Sequence, residues 1–176
     1  MKSIKEILTG ISNILMEVSI LNYQAMLSCQ KLGFNGFKRW HKCYSKKYYD
    51  LSICLEMKAF DFYATELDAP TDVVSYDAKS IIYHFQTFKD TIESDLSRLG
   101  SLNKEFFELT GFEAPFVGEI KRYMLKQVEK CNRMVYRYKS IGSEATGLHD
   151  LHVYDDELHK KMKLKEETDG TNRQHS

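Results

Sequence analysis

A chain of 176 residues is long enough for one domain with a substantial core. Its 25 basic and 25 acidic side chains cancel, which argues against a nucleic-acid binder and leaves no simple electrostatic case for an anionic membrane surface. Hydrophobic residues make up 43% and charged residues 28%, ordinary for a globular protein, and no apolar run approaches the roughly 20 residues that span a bilayer.

The first periodic segment runs from about Ser3 to Cys29 and places Ile4, Ile7, Ile11, Ile14, Val18, Leu21 and Ala25 at steps of three and four. That spacing predicts a helix with one apolar face. Ser3 and Glu6 have capping-box spacing at its start, and Gly33 lies near its end. A second stripe, within about Phe34 to Glu66, comprises Phe37, Trp40, Tyr44, Tyr48, Leu51, Leu55 and Phe62, with Lys58 or Ala59 at the intervening turn. A third follows Pro70-Thr71-Asp72 and runs through Ile81, Phe85, Phe88, Ile92, Leu96 and Leu99.

Gly100 to Ala114 reads as a connection with one helical turn around Glu105-Phe106-Phe107. Pro115 suits the first turn of a fourth helix, whose stripe is Ile120, Met124, Gln127, Cys131, Met134 and Tyr138, closing at Gly142. A short fifth helix fits Gly147 to His159, with Thr146 as its cap. The pattern predicts one helical-bundle domain over residues 1–159 and a polar, disordered tail over 160–176. Connection lengths do not choose between an up-down-up-down bundle and one with a long crossover.

Cys29, Cys43, Cys54 and Cys131 form no Cys-x-x-Cys pair, and Glu6 falls where a signal peptide would have its apolar core. Both features point to a reduced compartment, the cytoplasm.

Several strings together resemble the ferritin family. Lys139-Ser140-Ile141-Gly142 followed by Gly147-Leu148-His149-Asp150-Leu151 is similar to the ferritin glycine stop and Gly-Leu-started fifth helix. Tyr123-Met124-Leu125-Lys126-Gln127-Val128 is similar to a Tyr-Leu-x-Glu-Gln-Val stretch, Phe37 to Ser45 to the aromatic start of the second helix, and Pro70 to the proline before helix three. The resemblance covers about residues 3 to 158. It implies an all-α four-helix bundle with a long crossover and a short fifth helix, assembling into a 24-subunit iron-storing shell.

Heavy-type ferritins oxidise Fe(II) at a di-iron centre inside each bundle, and the resemblance carries its ligand positions onto this chain. The helix-one Glu falls on Glu17 and the helix-four Gln on Gln127. The bridging Glu falls on Tyr48, the His on Leu51, and the helix-three Glu on Lys89, with Gln86 or Asp90 reachable by a small slip. Oxidation by O₂ needs two irons held by oxygen donors with a bridging carboxylate. Tyr48 offers a largely neutral phenol, Leu51 donates nothing, and Lys89 repels Fe(II) by about 4 kcal/mol per unit of ionic charge at 4 Å and an effective dielectric of 20. Glu17 and Gln127 are then remnants of a di-iron site, or simply a surface-edge carboxylate and a core amide bonded to Tyr48 or another buried polar group.

The mineral-nucleating patch of the family reduces here to Asp50 beside Lys46 and Lys47. Its acidic entry channel reduces to Glu119 beside Lys121 and Arg122. His149, His152 and His159 follow closely in sequence, but their spacing supplies no third ligand for a metal. The expected function is an iron-storage subunit without ferroxidase activity, binding Fe²⁺/Fe³⁺ only weakly by itself and joining other ferritin-type subunits in a homo- or hetero-oligomeric shell. Two other classes compete: an interaction protein that keeps the bundle and uses a Tyr-rich surface, and an enzyme with a shifted di-metal site on Glu17, Asp50, Asp90 and Gln127.

Overall fold

The apolar stripes become the inward faces of long helices. The computed structural model describes residues 2–69 and 76–173, so Pro70-Thr71-Asp72 lie outside the described residues. Five helices follow in order: α1 (Ile4–Lys31), α2 (Asn35–Tyr63), α3 (Ile81–Thr110), α4 (Val117–Ser140) and α5 (Glu144–Arg173). None of the described helices is long and apolar enough to cross a membrane.

α1 starts at the capping box that the sequence announces. The Glu6 amide donates to Ser3 Oγ at 3.2 Å, and the Ser3 amide donates to the Glu6 carboxylate at 2.6 Å. α1 and α2 form an antiparallel pair drawn together by small residues, with Ser19 and Ser45 each donating a hydroxyl to the other's carbonyl at 2.9 Å.

Contacts at the two ends of the bundle settle the topology. Tyr63, at the end of α2, meets Phe106 near the end of α3, with ring centroids 5.8 Å apart. His41, near the start of α2, meets His84 near the start of α3. α2 and α3 are therefore parallel, and the end of α2 at Tyr63 and the start of α3 at Ile81 lie at opposite ends of the bundle. Lys58 lies 4.5 Å from the Phe116 ring at the start of α4, which sets α4 antiparallel to α2. This is the crossover arrangement that the resemblance implies and connection lengths left open.

α2 lacks a side-chain cap of its own, since its N-cap residue is Phe34. Asp155, on α5, supplies one from across the chain: its carboxylate accepts from the Gly36 amide at 3.0 Å and the Phe37 amide at 2.7 Å. The approach requires glycine, because a Cβ on Gly36 would sit 2.1 Å from the Asp155 carbonyl oxygen. α5 thus lies where α2 begins and α4 ends, burying Leu151, Asp155 and Leu158 at helical spacing.

Four boundaries differ from the sequence reading. α3 continues through Gly100 to Thr110, because its buried face continues through Asn103 and Phe106, and it stops at Gly111 in a left-handed conformation. Asn103 disguises that face by being polar; its Oδ1 accepts from the Ala114 amide at 2.9 Å. Pro115 lies before α4 rather than in its first turn. The fifth helix begins three residues earlier than Gly147, with Ser143 Oγ accepting the Thr146 amide, and continues through 160–173, where the charge pattern predicts a disordered tail. Its extension is tied back to α2 by an ion pair between Arg39 and Glu166. Phe62, placed on the inward stripe of α2, is instead 74% exposed, and Ala59 fills the turn above Leu55.

Candidate functional site

Glu17 and Gln127 face different surroundings. Glu17 is held by Arg98 of α3, whose guanidinium reaches its carboxylate at 2.6 and 3.4 Å. The same guanidinium donates to Asp95 at 2.8 Å. Asp95 is the carboxylate that α3 turns inward; Gln86 and Asp90 are exposed, and Lys89 is half-buried beside Asp90 and Glu93. Burial raises the Asp95 carboxyl above its ordinary value, and Arg98 opposes that shift. The positive group between the α1 and α3 carboxylates is therefore a protein side chain.

Gln127 lies in the core. Its Oε1 accepts from the Tyr48 hydroxyl at 2.8 Å, and its Nε2 donates to Asn22 Oδ1 at 2.7 Å. Burial pushes the Tyr48 phenol well above its ordinary pKa, so it remains a neutral donor. Leu51 is buried and apolar. Asp50 is exposed, so the structure does not bring together the Glu17, Asp50, Asp90 and Gln127 set.

From Asn22 the polar contacts continue into a part of the core that the sequence reading did not single out. His41 Nδ1 lies 2.9 Å from Asn22 Oδ1, His41 Nε2 lies 2.9 Å from His84 Nε2, and His84 Nδ1 lies 2.6 Å from the Tyr76 hydroxyl. Cys29 Sγ sits 3.7 Å from His84 Nε2. Asn22, His41, His84 and Gln127 are fully buried.

One anchor fixes the protons throughout. Asn22 Nδ2 donates to the Val18 carbonyl at 2.9 Å, so its Oδ1 is the acceptor for both neighbours. His41 therefore carries its proton on Nδ1 and presents a bare Nε2. His84 donates from Nε2 to that lone pair, and its own Nδ1 accepts the Tyr76 O–H. Both imidazoles are neutral: burial holds His84 down to about 3 and, with the nearby His84 and Lys130, holds His41 well below its ordinary value. Burial likewise pushes the Cys29 thiol up.

Cys29, His41 and His84 offer three ligand atoms within 4.8 Å of one another, the one group of His, Cys, Asp or Glu among the described residues with metal-binding spacing. The histidines that follow closely in sequence, His149, His152 and His159, all lie on α5 and do not form such a group. His152 stacks on Phe34 at 4.2 Å, and Asp150 is held by Arg137 at 2.8 and 2.9 Å. Glu119 accepts from the Tyr123 hydroxyl and lies near Arg122.

The buried network had a sequence signal. Asn22 falls between Val18 and Ala25, His41 between Phe37 and Tyr44, and His84 beside Phe85, all in core register. Polar residues at such positions announce a satisfied network. Asp95 gave the same signal between Ile92 and Leu99.

No protein-family model and no curated protein matches the chain. Solved structures do. A humanized archaeal ferritin aligns with a TM-score of 0.71 at 12% identity, covering 90% of this chain and 98% of that one. A closed form of the Archaeoglobus fulgidus ferritin made by site-directed mutagenesis aligns at 0.70 and 17% identity, covering 90% and 97%. The open-pore ferritin of the same archaeon aligns at 0.69 and 15% identity, covering 89% and 98%. The chain therefore has a ferritin-like fold, a four-helix bundle with a long crossover and a fifth helix.

Proposed function

We propose that the chain is a ferritin-type shell subunit that serves intracellular iron storage without oxidising iron in its own bundle. The observation that carries this reading is Arg98. Its guanidinium bridges Glu17 and Asp95, the two inward-facing carboxylates of α1 and α3, and so supplies the charge that a cation would otherwise supply. Across the core, both polar ends of the Gln127 amide are occupied by Tyr48 and Asn22. Glu17 and Gln127 act here as structural remnants rather than as ligands.

Assembly is supported by a second apolar face. On the outside of the bundle α1 presents Met16, Ile20, Tyr23 and Leu27, and α2 presents Tyr49, Ile53, Met57 and Phe60, each set at helical spacing. Met57 and Phe60 are each 62% exposed. An apolar stripe on two adjacent antiparallel helices suits pairing with a like subunit, or with another ferritin-type subunit in a mixed shell. Four free cysteines suit a reduced compartment such as the cytoplasm.

The test is light-scattering mass and iron content on protein purified from its own cell, with oxygen uptake on adding Fe(II). The expected result is a large iron-containing assembly whose own subunits, prepared alone, take up oxygen no faster than free Fe(II). Uptake well above that rate would overturn the inactive site. A metal-free monomer or dimer would overturn storage and favour an interaction protein built on the same bundle.

A further inference from the structure

We propose that Cys29, His41 and His84 form a three-coordinate site for a soft monovalent cation of the Cu(I) type, separate from any iron chemistry and independent of the shell-subunit reading. The donor set selects the class. One sulfur and two imidazole nitrogens favour copper or zinc, whereas the hard cations prefer carboxylate, carbonyl and water oxygens.

Two edges of the triangle approach those of a bound ion, and the third lies within 4.8 Å. With metal–nitrogen and metal–sulfur lengths of about 2.05 and 2.3 Å, a trigonal site separates nitrogen from nitrogen by about 3.5 Å and sulfur from nitrogen by about 3.8 Å. Cys29 Sγ already stands 3.7 Å from His84 Nε2, and the two Nε2 atoms, now joined by a proton at 2.9 Å, need only part slightly.

The surrounding contacts are those of a metal site in which each ring is oriented through its other nitrogen. Asn22 fixes the His41 tautomer that leaves Nε2 free to ligate. At His84 the proton on Nε2 must leave for the metal to enter, and Tyr76 is placed for that exchange. Its oxygen lies 2.6 Å from His84 Nδ1 and 3.0 Å from the His84 carbonyl oxygen. In the metal-free state the hydroxyl donates to Nδ1. With metal bound, Nδ1 carries the proton and donates to the Tyr76 oxygen, while the Tyr76 hydroxyl turns to the carbonyl. No polar group loses its partner in either state.

The balance is simple. Three coordinate bonds form, the Cys29 S–H bond breaks and its proton passes to solvent, the His84 proton moves from Nε2 to Nδ1, and nothing is oxidised or reduced.

Charge separates copper from zinc. Thiolate plus Cu(I) is neutral, which suits a core walled by Phe85 and Phe88. Zn(II) would leave a buried unit charge, and its tetrahedron would lack a fourth His, Cys, Asp or Glu ligand among the described residues.

The experiment is an anaerobic titration of the full-length protein with Cu(I) against a chromophoric Cu(I) chelator, with X-ray absorption of the loaded protein. One equivalent retained in mixed sulfur–nitrogen three-coordination is expected, together with a rise in thermal midpoint on loading. Cys29→Ser should abolish stoichiometric retention, Cys131→Ser should leave it unchanged, and Tyr76→Phe should weaken it about 10- to 100-fold. Circular dichroism of each variant establishes that it folds, and the absorption spectrum of the unaltered protein reads the ligands even where a variant does not. Failure of the folded, unaltered protein to retain Cu(I) would overturn the proposal. So would a copper spectrum without sulfur, retention that survives Cys29→Ser in a folded protein, or Zn(II) displacing Cu(I) at equal concentration.

Discussion

Acid should unfold this protein through its buried imidazoles. His41 and His84 are wholly buried, hydrogen-bonded as neutral rings, and depressed in pKa, His84 to about 3. In the unfolded chain both titrate near 6.5. Below that value the unfolded state binds two protons that the folded state refuses. The histidine contribution to stability is therefore complete above about pH 6.5 and falls with acidification until the folded values are reached. A ring contributes a slope of about 1.4 kcal/mol per pH unit between its two values, so His84 alone would remove about 2.5 kcal/mol between about pH 6 and about pH 4, and His41 adds to the loss in the same direction. That is a large share of the stability of many domains, about 5 to 15 kcal/mol. Asp95 and Asp155, whose carboxyls burial raises, work in the opposite direction, because the folded state holds on to their protons. A difference measurement isolates the histidine term. Urea unfolding of metal-free wild type and His84→Asn, followed by circular dichroism at several pH values, should show wild type losing its advantage by about 1.4 kcal/mol for each unit below about pH 6. A stability gap that stays constant or widens on acidification would refute the reasoning, because it would mean that His84 accepts a proton without unfolding.

Gly36→Ala should cost about 1–3 kcal/mol by urea unfolding, since its Cβ would meet the Asp155 carbonyl at 2.1 Å and force α5 away from α2. Asp155→Ala should cost about 1–2 kcal/mol and speed amide exchange selectively at Gly36 and Phe37, the two donors it caps. Tyr48→Phe leaves Gln127 Oε1 buried without its donor and should cost about 1–3 kcal/mol, a loss that the double change with Gln127→Leu should not increase additively. Arg98→Gln should destabilise by about 1 kcal/mol, a modest figure because Arg98 is half exposed, and a titration of Asp95 followed by NMR should move to higher pH.

The fold was largely legible because each long helix buries one continuous stripe, and a period of 3.6 residues shows through an ordinary sequence. The second half of α3 was not, because Gly100 and Asn103 interrupt the apolar pattern while the backbone continues regardless. The tail misled for another reason. α5 beyond His159 is almost wholly polar, so composition alone argues against order, whereas its helix follows from docking of Leu151, Asp155 and Leu158 upstream. At the site, the resemblance directed attention to positions whose chemistry had been replaced. Tyr48, Leu51 and Gln127 were placed in the core from their stripes, and they are there. Asp95, His41, His84 and Asn22 required recognising that a polar residue in apolar register must have a partner, and the identity of that partner is a tertiary fact.

The polar chain through the core also has a meaning for the uniqueness of the folded state. It takes Asn22 from α1, His41 and Tyr48 from α2, His84 from α3 and Gln127 from α4, so each of the first four helices contributes a member. A shift of one helix by a single residue turns its side chains by about 100° and slides them about 1.5 Å. An aliphatic core tolerates such a slip by repacking, but a chain of directional bonds with one consistent proton order does not. We expect the network to bias the four helices towards one rotation and register. Replacing it wholesale with leucine should then keep the helix content while broadening the dispersed NMR spectrum of a single arrangement, and a spectrum that stays sharp and dispersed would refute that role.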